Sequence, residues 1–469
     1  MHEVEDDAPA DLVLRGGVVH PLAGDDREAR AVAVRDGCVA RVGDDEEVLA
    51  LAGQATEVVD LAGRAVLPGI NDAHLHATWL GALWPDTLFG EQAAPGPAPQ
   101  RPLHDAAERR QAILRAGELL ASLGITSYTE PGLGPGEDDG PTGAFGTSVV
   151  EQYQALAAEG HLRARVTVLS LFGELDGSST RTAFLAGLAA ADDATTDERW
   201  LRFAGVKIFA DGIPPMRSAY THRCYADGHR AELLVAGGDD ADREANLAAM
   251  IRTAHRAGCQ VGVHATGDRS IDVVLDAVEQ ARADHDVDLR HYVVHGDLVT
   301  GAQLRRMVAL GVGLDMQPGI AVRTRAQVDA ALGAGSAAGA WPMREALDMR
   351  VPLCLTSDAP VLSPDWRCHV AAADEWMGPS ANPRIRMAEL LRAYTVQPAR
   401  QDGAAWWKGT LAPGMAADLC VLAADPFALA PSELPHVEVD LTVVGGEVVH
   451  ERLPGRSERA GSTRATPLR

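Results

Sequence analysis

The chain has 469 residues, of which 46% are hydrophobic and 23% charged, and its formal net charge is −24. That length suits one large domain joined to a smaller one, and the composition is ordinary for a globular enzyme. So acidic a surface repels phosphate, which argues against nucleic acid and anionic membrane as partners. A small-molecule substrate is expected, with a homo-oligomer left open.

Met1 to Asp7 carry neither the basic start nor the apolar core of a signal peptide, and no apolar run reaches the roughly 18 residues a membrane span requires. The six cysteines, Cys38, Cys224, Cys259, Cys354, Cys368 and Cys420, show no C-x-x-C spacing and hence no disulfide framework. A reducing, cytoplasmic location is expected.

From Asp11 to Leu67 the chain reads as short strands, Leu12–Val19, Ala31–Val34, Cys38–Val42 and Glu57–Asp60, with turn signals at Gly16-Gly17 and Asp36-Gly37. The far end repeats that rhythm in Asp418–Leu422 and Leu441–Val449. Neither end alone can bury a convincing core, so the two are expected to pair into one small β-sandwich. Between them strands alternate with helices. The strand candidates are Ala65–Ile70, Ile125–Thr129, Arg165–Leu171, Gly205–Phe209, Gln260–Val263, Tyr292–Val294, Val312–Met316 and Pro352–Leu355. Helical periodicity marks Asp105–Leu123, Ala241–Ala257 and Ser270–Ala283 among the segments between them. Eight strands suggest an α/β fold of the (β/α)8 TIM-barrel kind, whose chemistry sits at the carboxyl ends of the strands. An open doubly wound sheet is the rival, weakened by the lack of a G-x-G-x-x-G loop after the first strand. The expected division is 1–66 and 406–453 for the sandwich, 67–405 for the barrel, and 454–469 as a flexible tail.

The barrel reading demands polar, metal-competent residues just after the apolar runs. His74 and His76 follow strand 1 two residues apart, so alternation aims both at one point. Lys207 lies within strand 4, His264 ends strand 5, His295 ends strand 6 and Asp358 ends strand 8. Each has a plainer reading: surface or core histidines, a snorkelling lysine, an aspartate that starts a turn. A lysine inside a sheet core costs several kcal/mol unless paired or neutralised. Reaction with carbon dioxide is one route, giving a carbamate able to bridge two cations. It is the conjunction of six such residues in strand order that favours a site.

This set resembles the amidohydrolase superfamily, in particular the branch containing N-substituted formamide deformylases. The matching motifs are Pro68 to His76, Val206 to Gly212, His264 to Asp268 and Arg290 to His295, with Gly409 to Leu419 as the segment returning to the sandwich. The resemblance implies two divalent metals, zinc or another, held by His74, His76, Asp358 and carboxylated Lys207 on one side and by Lys207, His264 and His295 on the other. It also implies Asp358 as the catalytic general acid and base in hydrolysis of a C–N bond in an amide, N-formyl or cyclic amide. A mononuclear deaminase or N-acyl amino acid deacylase on the same barrel is the alternative, with a non-catalytic relative behind it. Asn71 stands where an aromatic or aliphatic residue is usual. His291, Arg217 and Tyr220 are candidate substrate contacts, although packing roles suit Arg217 and Tyr220 as well. Trp79, Trp84 and Phe89, in the loop Ala77–Gln100, either line an apolar pocket or pack the loop down.

Overall fold

The structure is a computed structural model that describes residues 8–24, 28–89, 101–191, 195 and 197–453. The expected tail at 454–469 and the end of the loop at 90–100 lie outside the described residues. Among the described residues no helix is long and apolar enough to cross a membrane.

Eight parallel strands form the central sheet: β1 (Ile70–Asp72), β2 (Ile125–Leu133), β3 (Arg165–Leu171), β4 (Leu201–Phe209), β5 (Gln260–Ala265), β6 (Tyr292–His295), β7 (Gly313–Met316) and β8 (Leu353–Leu355). Each pairs with its sequence neighbours, in the order expected of a (β/α)8 barrel. The seam between β1 and β8 is closed by other backbone. Within the two strands, Asn71 N–H donates to the carbonyl of Tyr394 and Leu355 N–H to that of Ala393. At the carboxyl ends, Asp358 donates to His74 and His76 to Ala359. Helices such as Ala106–Ser122, Asp240–Arg256 and Asp268–Asp284 return the chain between strands, and their apolar stripes pack on the sheet.

The sandwich has one sheet ordered Cys38–Gly43, Ala31–Arg35, Ala10–Arg15, Ala52–Asp60 and another ordered Glu447–Glu451, Val439–Val444, Leu419–Leu422, Ala65–Pro68, Val18–Val19. The two chain ends meet where Ala65–Pro68 runs antiparallel to Leu419–Leu422. Alternation along these strands explains why both are apolar throughout. Val66, Leu419, Val421, Leu441 and Val443 face the sandwich core, whereas Ala65, Leu67, Cys420 and Leu422 face the barrel, joined by Val439 beyond a break in the pairing register.

The run Ala65–Ile70, expected as a single barrel strand, is therefore two strands in two sheets. The break falls at Gly69, where a Cβ would lie 2.1 Å from Thr126 Oγ1, so the chain crosses from sheet to sheet at a point where only glycine fits. The segment after His76 also differs from a plain loop. Ala77–Leu83 is a buried helix crossing Ala106–Ser122 so closely that a Cβ on Gly81 would sit 1.9 Å from the Ala112 carbonyl.

Candidate active site

The loops leaving β1 and β8 hold each other. Asp358 N–H donates to His74 O at 2.9 Å and His76 N–H to Ala359 O at 2.7 Å. Beneath them Asp72, fully buried, accepts from the backbone of His74 and Ser357 at 3.2 Å each. Burial pushes its carboxyl up to about 7, although those donors pull the other way.

The seam places one donor atom from each of His74, His76 and Asp358 within 4.8 Å of one another, all three residues being buried. Asp358 Oδ1 lies 3.4 Å from His74 Nε2 and 3.6 Å from His76 Nε2. The ring of His295 stands 5.6 Å from His74 and 4.4 Å from His264, so all four histidines form one group. Gln317 orients His295 through a 2.8 Å contact to Nδ1, and His264 Nε2 lies 3.3 Å from Gly212 O. Burial, reinforced by neighbouring cationic groups, lowers the proton affinity of His74 and His264 well below the imidazole norm and brings His295 down to about 4. Neutral imidazoles are what a metal requires.

Lys207 is 1% exposed on β4, and its Nζ has no hydrogen-bond partner. Burial lowers its pKa to about 8, against the pull of Asp358, Asp176 and Asp315. A snorkelling edge lysine is thereby ruled out, since the strand is paired on both sides and the amine stays inside. Two site residues adopt left-handed backbone, His295 at φ 72° and Asp358 at φ 56°. Such strain costs about 1–3 kcal/mol per residue and persists where surrounding structure imposes it. Here the closed seam does so for Asp358.

The remaining sequence candidates are placed elsewhere. His291 corrects the expectation of a substrate contact: it sits four residues before His295, at the amino end of β6. Its Nδ1 accepts from Val261 N–H at 2.9 Å, and its Nε2 meets His255 Nδ1 at 2.8 Å. Tyr220 is corrected likewise, because its hydroxyl donates to Glu244 and its ring lies under Arg269, toward the helix layer. Arg217 is paired with Asp227 at the surface. Trp79 does reach the site indirectly, packing edge-on against Phe145, which in turn abuts His76. Trp84 and Phe89 are 38% and 41% exposed. Asn71, the departure noted in the β1 motif, turns its amide to Asp402 at 2.8 Å inside the barrel and is a structural pin.

Three contributors were not read from sequence. Asp211 ties the segment after His264 in place, accepting from Tyr220, Thr266 and Gly267 N–H and from Ser270 Oγ. Its place in the Val206 to Gly212 motif, just past the apolar run of β4, was the available signal. Gln317 carried none beyond following β7. Glu130, buried on β2, faces His76 Nδ1 at 3.7 Å, and an acidic residue inside an apolar strand was a signal of the same kind as Lys207.

The donor set fits a divalent metal: two imidazoles and a carboxylate converge, the imidazoles of His295 and His264 stand beside them, and a buried amine without a hydrogen-bond partner adjoins the group. A cavity of about 350 Å³ also opens at the amino ends of β3 and β4, lined by Arg165, Arg202, Trp406, Trp407 and Lys408. It is at the other end of the barrel from these ligands, where conserved chemistry is not found in this fold.

Residues 85–450 match the sequence model described as the amidohydrolase family. The chain belongs to that family. Among similar proteins, the N-substituted formamide deformylase of Arthrobacter pascens is 26% identical over 94% of this chain and 98% of its own length. The putative amidohydrolase YtcJ of Bacillus subtilis is 28% identical over 54% of this chain and 48% of its own, so the chain aligns with about half of that relative. Among solved structures, an uncharacterised metal-dependent hydrolase from Pyrococcus furiosus superposes with a TM-score of 0.70 at 21% identity, covering 89% of this chain and 99% of that one. This last likeness is one of fold. The alignment to the deformylase thus spans nearly all of both chains, in line with the branch suggested by the sequence motifs.

Proposed function

We propose that this amidohydrolase uses a divalent metal site to hydrolyse a C–N bond in an amide, N-formyl or cyclic amide substrate. The observation that carries the reading is the convergence of buried His74, His76 and Asp358 donor atoms within 4.8 Å, with neutral His264 and His295 and unpartnered Lys207 beside them. His74, His76 and Asp358 would hold one ion, His264 and His295 a second, and Lys207, as a carbamate, would join them. A bound divalent ion supplies a water acidic enough to attack near neutral pH and an electrophile for the substrate carbonyl. Asp358, acceptor-only when ionised, orients the attacking water, takes its proton and returns it to the departing nitrogen. Lys207 reaches the carbamate state readily because burial has brought its amine down to about 8, leaving an appreciable unprotonated fraction.

The name of the Arthrobacter relative, aligned over nearly all of both chains, supports N-formyl amines as the first substrates to try. One observation favours a rival reading: the tightest donor group has three members, as a mononuclear deaminase or N-acyl amino acid deacylase would need. Metal analysis separates the two. About two divalent ions per chain with carboxylated Lys207 supports the first reading, and one ion with free Lys207 selects the second. Purified protein that takes up no divalent metal would falsify both. A screen of N-formyl amines, N-acyl amino acids and cyclic ureas with metal-replete enzyme then assigns the substrate class.

A further inference from the structure

The buried carboxylate of Glu130 is unevenly employed. Its Oε2 accepts from Tyr153 hydroxyl at 2.9 Å and from Thr78 N–H at 3.2 Å. Its Oε1, equally buried, has no hydrogen-bond partner, and neither has His76 Nδ1, 3.7 Å away. Two complementary orphaned atoms thus face each other, and a shift of under about 1 Å would make them a normal hydrogen bond. The other side of the His76 ring is fixed by Phe145, and its Nε2 faces Asp358.

We propose that Glu130 is a positioning residue that holds His76 in the Nδ1–H tautomer, so that Nε2 presents its lone pair toward Asp358 and the metal. The inference rests on the metal reading of the site. A neutral imidazole carries one proton; if Nε2 is to ligate, Nδ1 must bear it and needs an acceptor. Tyr153 and Thr78 supply donors only to Oε2, which fixes the carboxylate plane and leaves Oε1 for the histidine. Tyr153 and Tyr128 stay protonated in this role, since burial and the charge of Glu130 raise both phenols. Thr78 is the second residue of the helix that starts after His76, so the same carboxylate also ties helix to ligand.

Glu130→Gln is the informative variant because it keeps the shape. With its oxygen accepting from Tyr153 and Thr78, its NH2 turns toward His76 Nδ1 and favours the opposite tautomer. Chelator competition with zinc should show affinity reduced about 10- to 100-fold, while the unfolding midpoint of the metal-free protein changes little. Glu130→Asp, which keeps an acceptor, should recover part of the affinity. Unchanged zinc affinity in Glu130→Gln overturns the proposal and leaves Glu130 as a helix anchor. Imidazole nitrogen NMR of the metal-free wild-type protein gives a direct reading that needs no folded Glu130 variant, with the His76 signals identified by their loss in His76→Asn. An Nδ1–H signature is expected, and an Nε2–H signature refutes it. Wild-type protein that binds no zinc but shows the Nδ1–H tautomer would sink the proposed function, not this placement.

Discussion

Replacing Lys207 by Met should stabilise the metal-free protein while removing its activity. The amine is 1% exposed and lacks a hydrogen-bond partner, with the Phe209 ring 4.9 Å away as a cation–π contact, and burial has lowered its pKa from 10.5 to about 8. At about 1.4 kcal/mol for each tenfold change in proton affinity, holding the charge inside costs about 3 kcal/mol at pH 7. Methionine fills a similar volume with no charge to desolvate. The pH dependence has a definite sign. Between pH 8 and 10.5 the unfolded lysine is protonated and the folded one is not, so wild-type stability rises across that window as the cost disappears. Below pH 8 the amine is charged in both states and the full cost remains. Urea unfolding of chelator-treated proteins at pH 7 and pH 10 reads this directly. The variant should unfold at higher urea at pH 7, and the gap should narrow at pH 10. Equal midpoints at pH 7, or a gap that persists at pH 10, would refute the claim that a buried, unpaired charge is stored at this position for function.

Asp358→Asn should retain most of the bound metal but lose about 10²- to 10⁴-fold in turnover, measured by metal analysis and initial rates on the same preparation; near wild-type turnover removes Asp358 from proton transfer. Lys207→Ala should lose activity and regain part of it with added short carboxylic acids, read by rate against acid concentration. His291 is held to about 3 by burial, so wild-type stability should fall as pH drops below about 6.5, where the unfolded imidazole begins to protonate, and flatten only near 3; acid titration of His291→Asn should show a shallower slope, and an unchanged slope would place the acid sensitivity elsewhere. Arg165 makes a bidentate pair with Asp418 at 2.8 and 3.0 Å, joining β3 to the segment that returns to the sandwich. Arg165→Met should cost about 3–5 kcal/mol by stranding a buried carboxylate, as denaturant midpoints would show.

The strand rhythm was legible because parallel barrel strands are buried on both faces and stand out as short apolar runs. The six chemically competent residues were legible for the related reason that a polar residue at the end of such a run is conspicuous. Glu130 is less conspicuous, since it lies mid-strand in Ile125–Leu133 beside a Pro-Gly pair that resembles the start of a loop. The split at Gly69 was hidden because Ala65–Ile70 is apolar on both sides of it; what divides the run is the approach of Thr126, a contact between residues 57 apart. His291 misled for the opposite reason. A histidine four residues before His295 suggests a substrate contact, but it precedes Tyr292, where the strand begins, and His255 and Val261 claim both its nitrogens.

The seam between β1 and β8 is the part of the site least visible in sequence and most consequential for it. In a closed parallel barrel the last strand must return to the first, and here the closure is made by the loops that carry the candidate ligands. Asp358 N–H binds the His74 carbonyl and His76 N–H binds the Ala359 carbonyl, so neither histidine nor aspartate can move without opening the barrel. Asp72 adds two further bonds, one to each loop, from beneath. The ligand geometry is thus fixed by the same hydrogen bonds that complete the fold, and the left-handed backbone at Asp358 is sustained by that closure. Substrate choice is under no such constraint. The helix and loop that follow His76 are pinned at Leu88 and Phe89 to the backbone of Pro360 and Val361, beyond Asp358, so changes there can reshape the mouth of the site while the seam keeps the ligands in place.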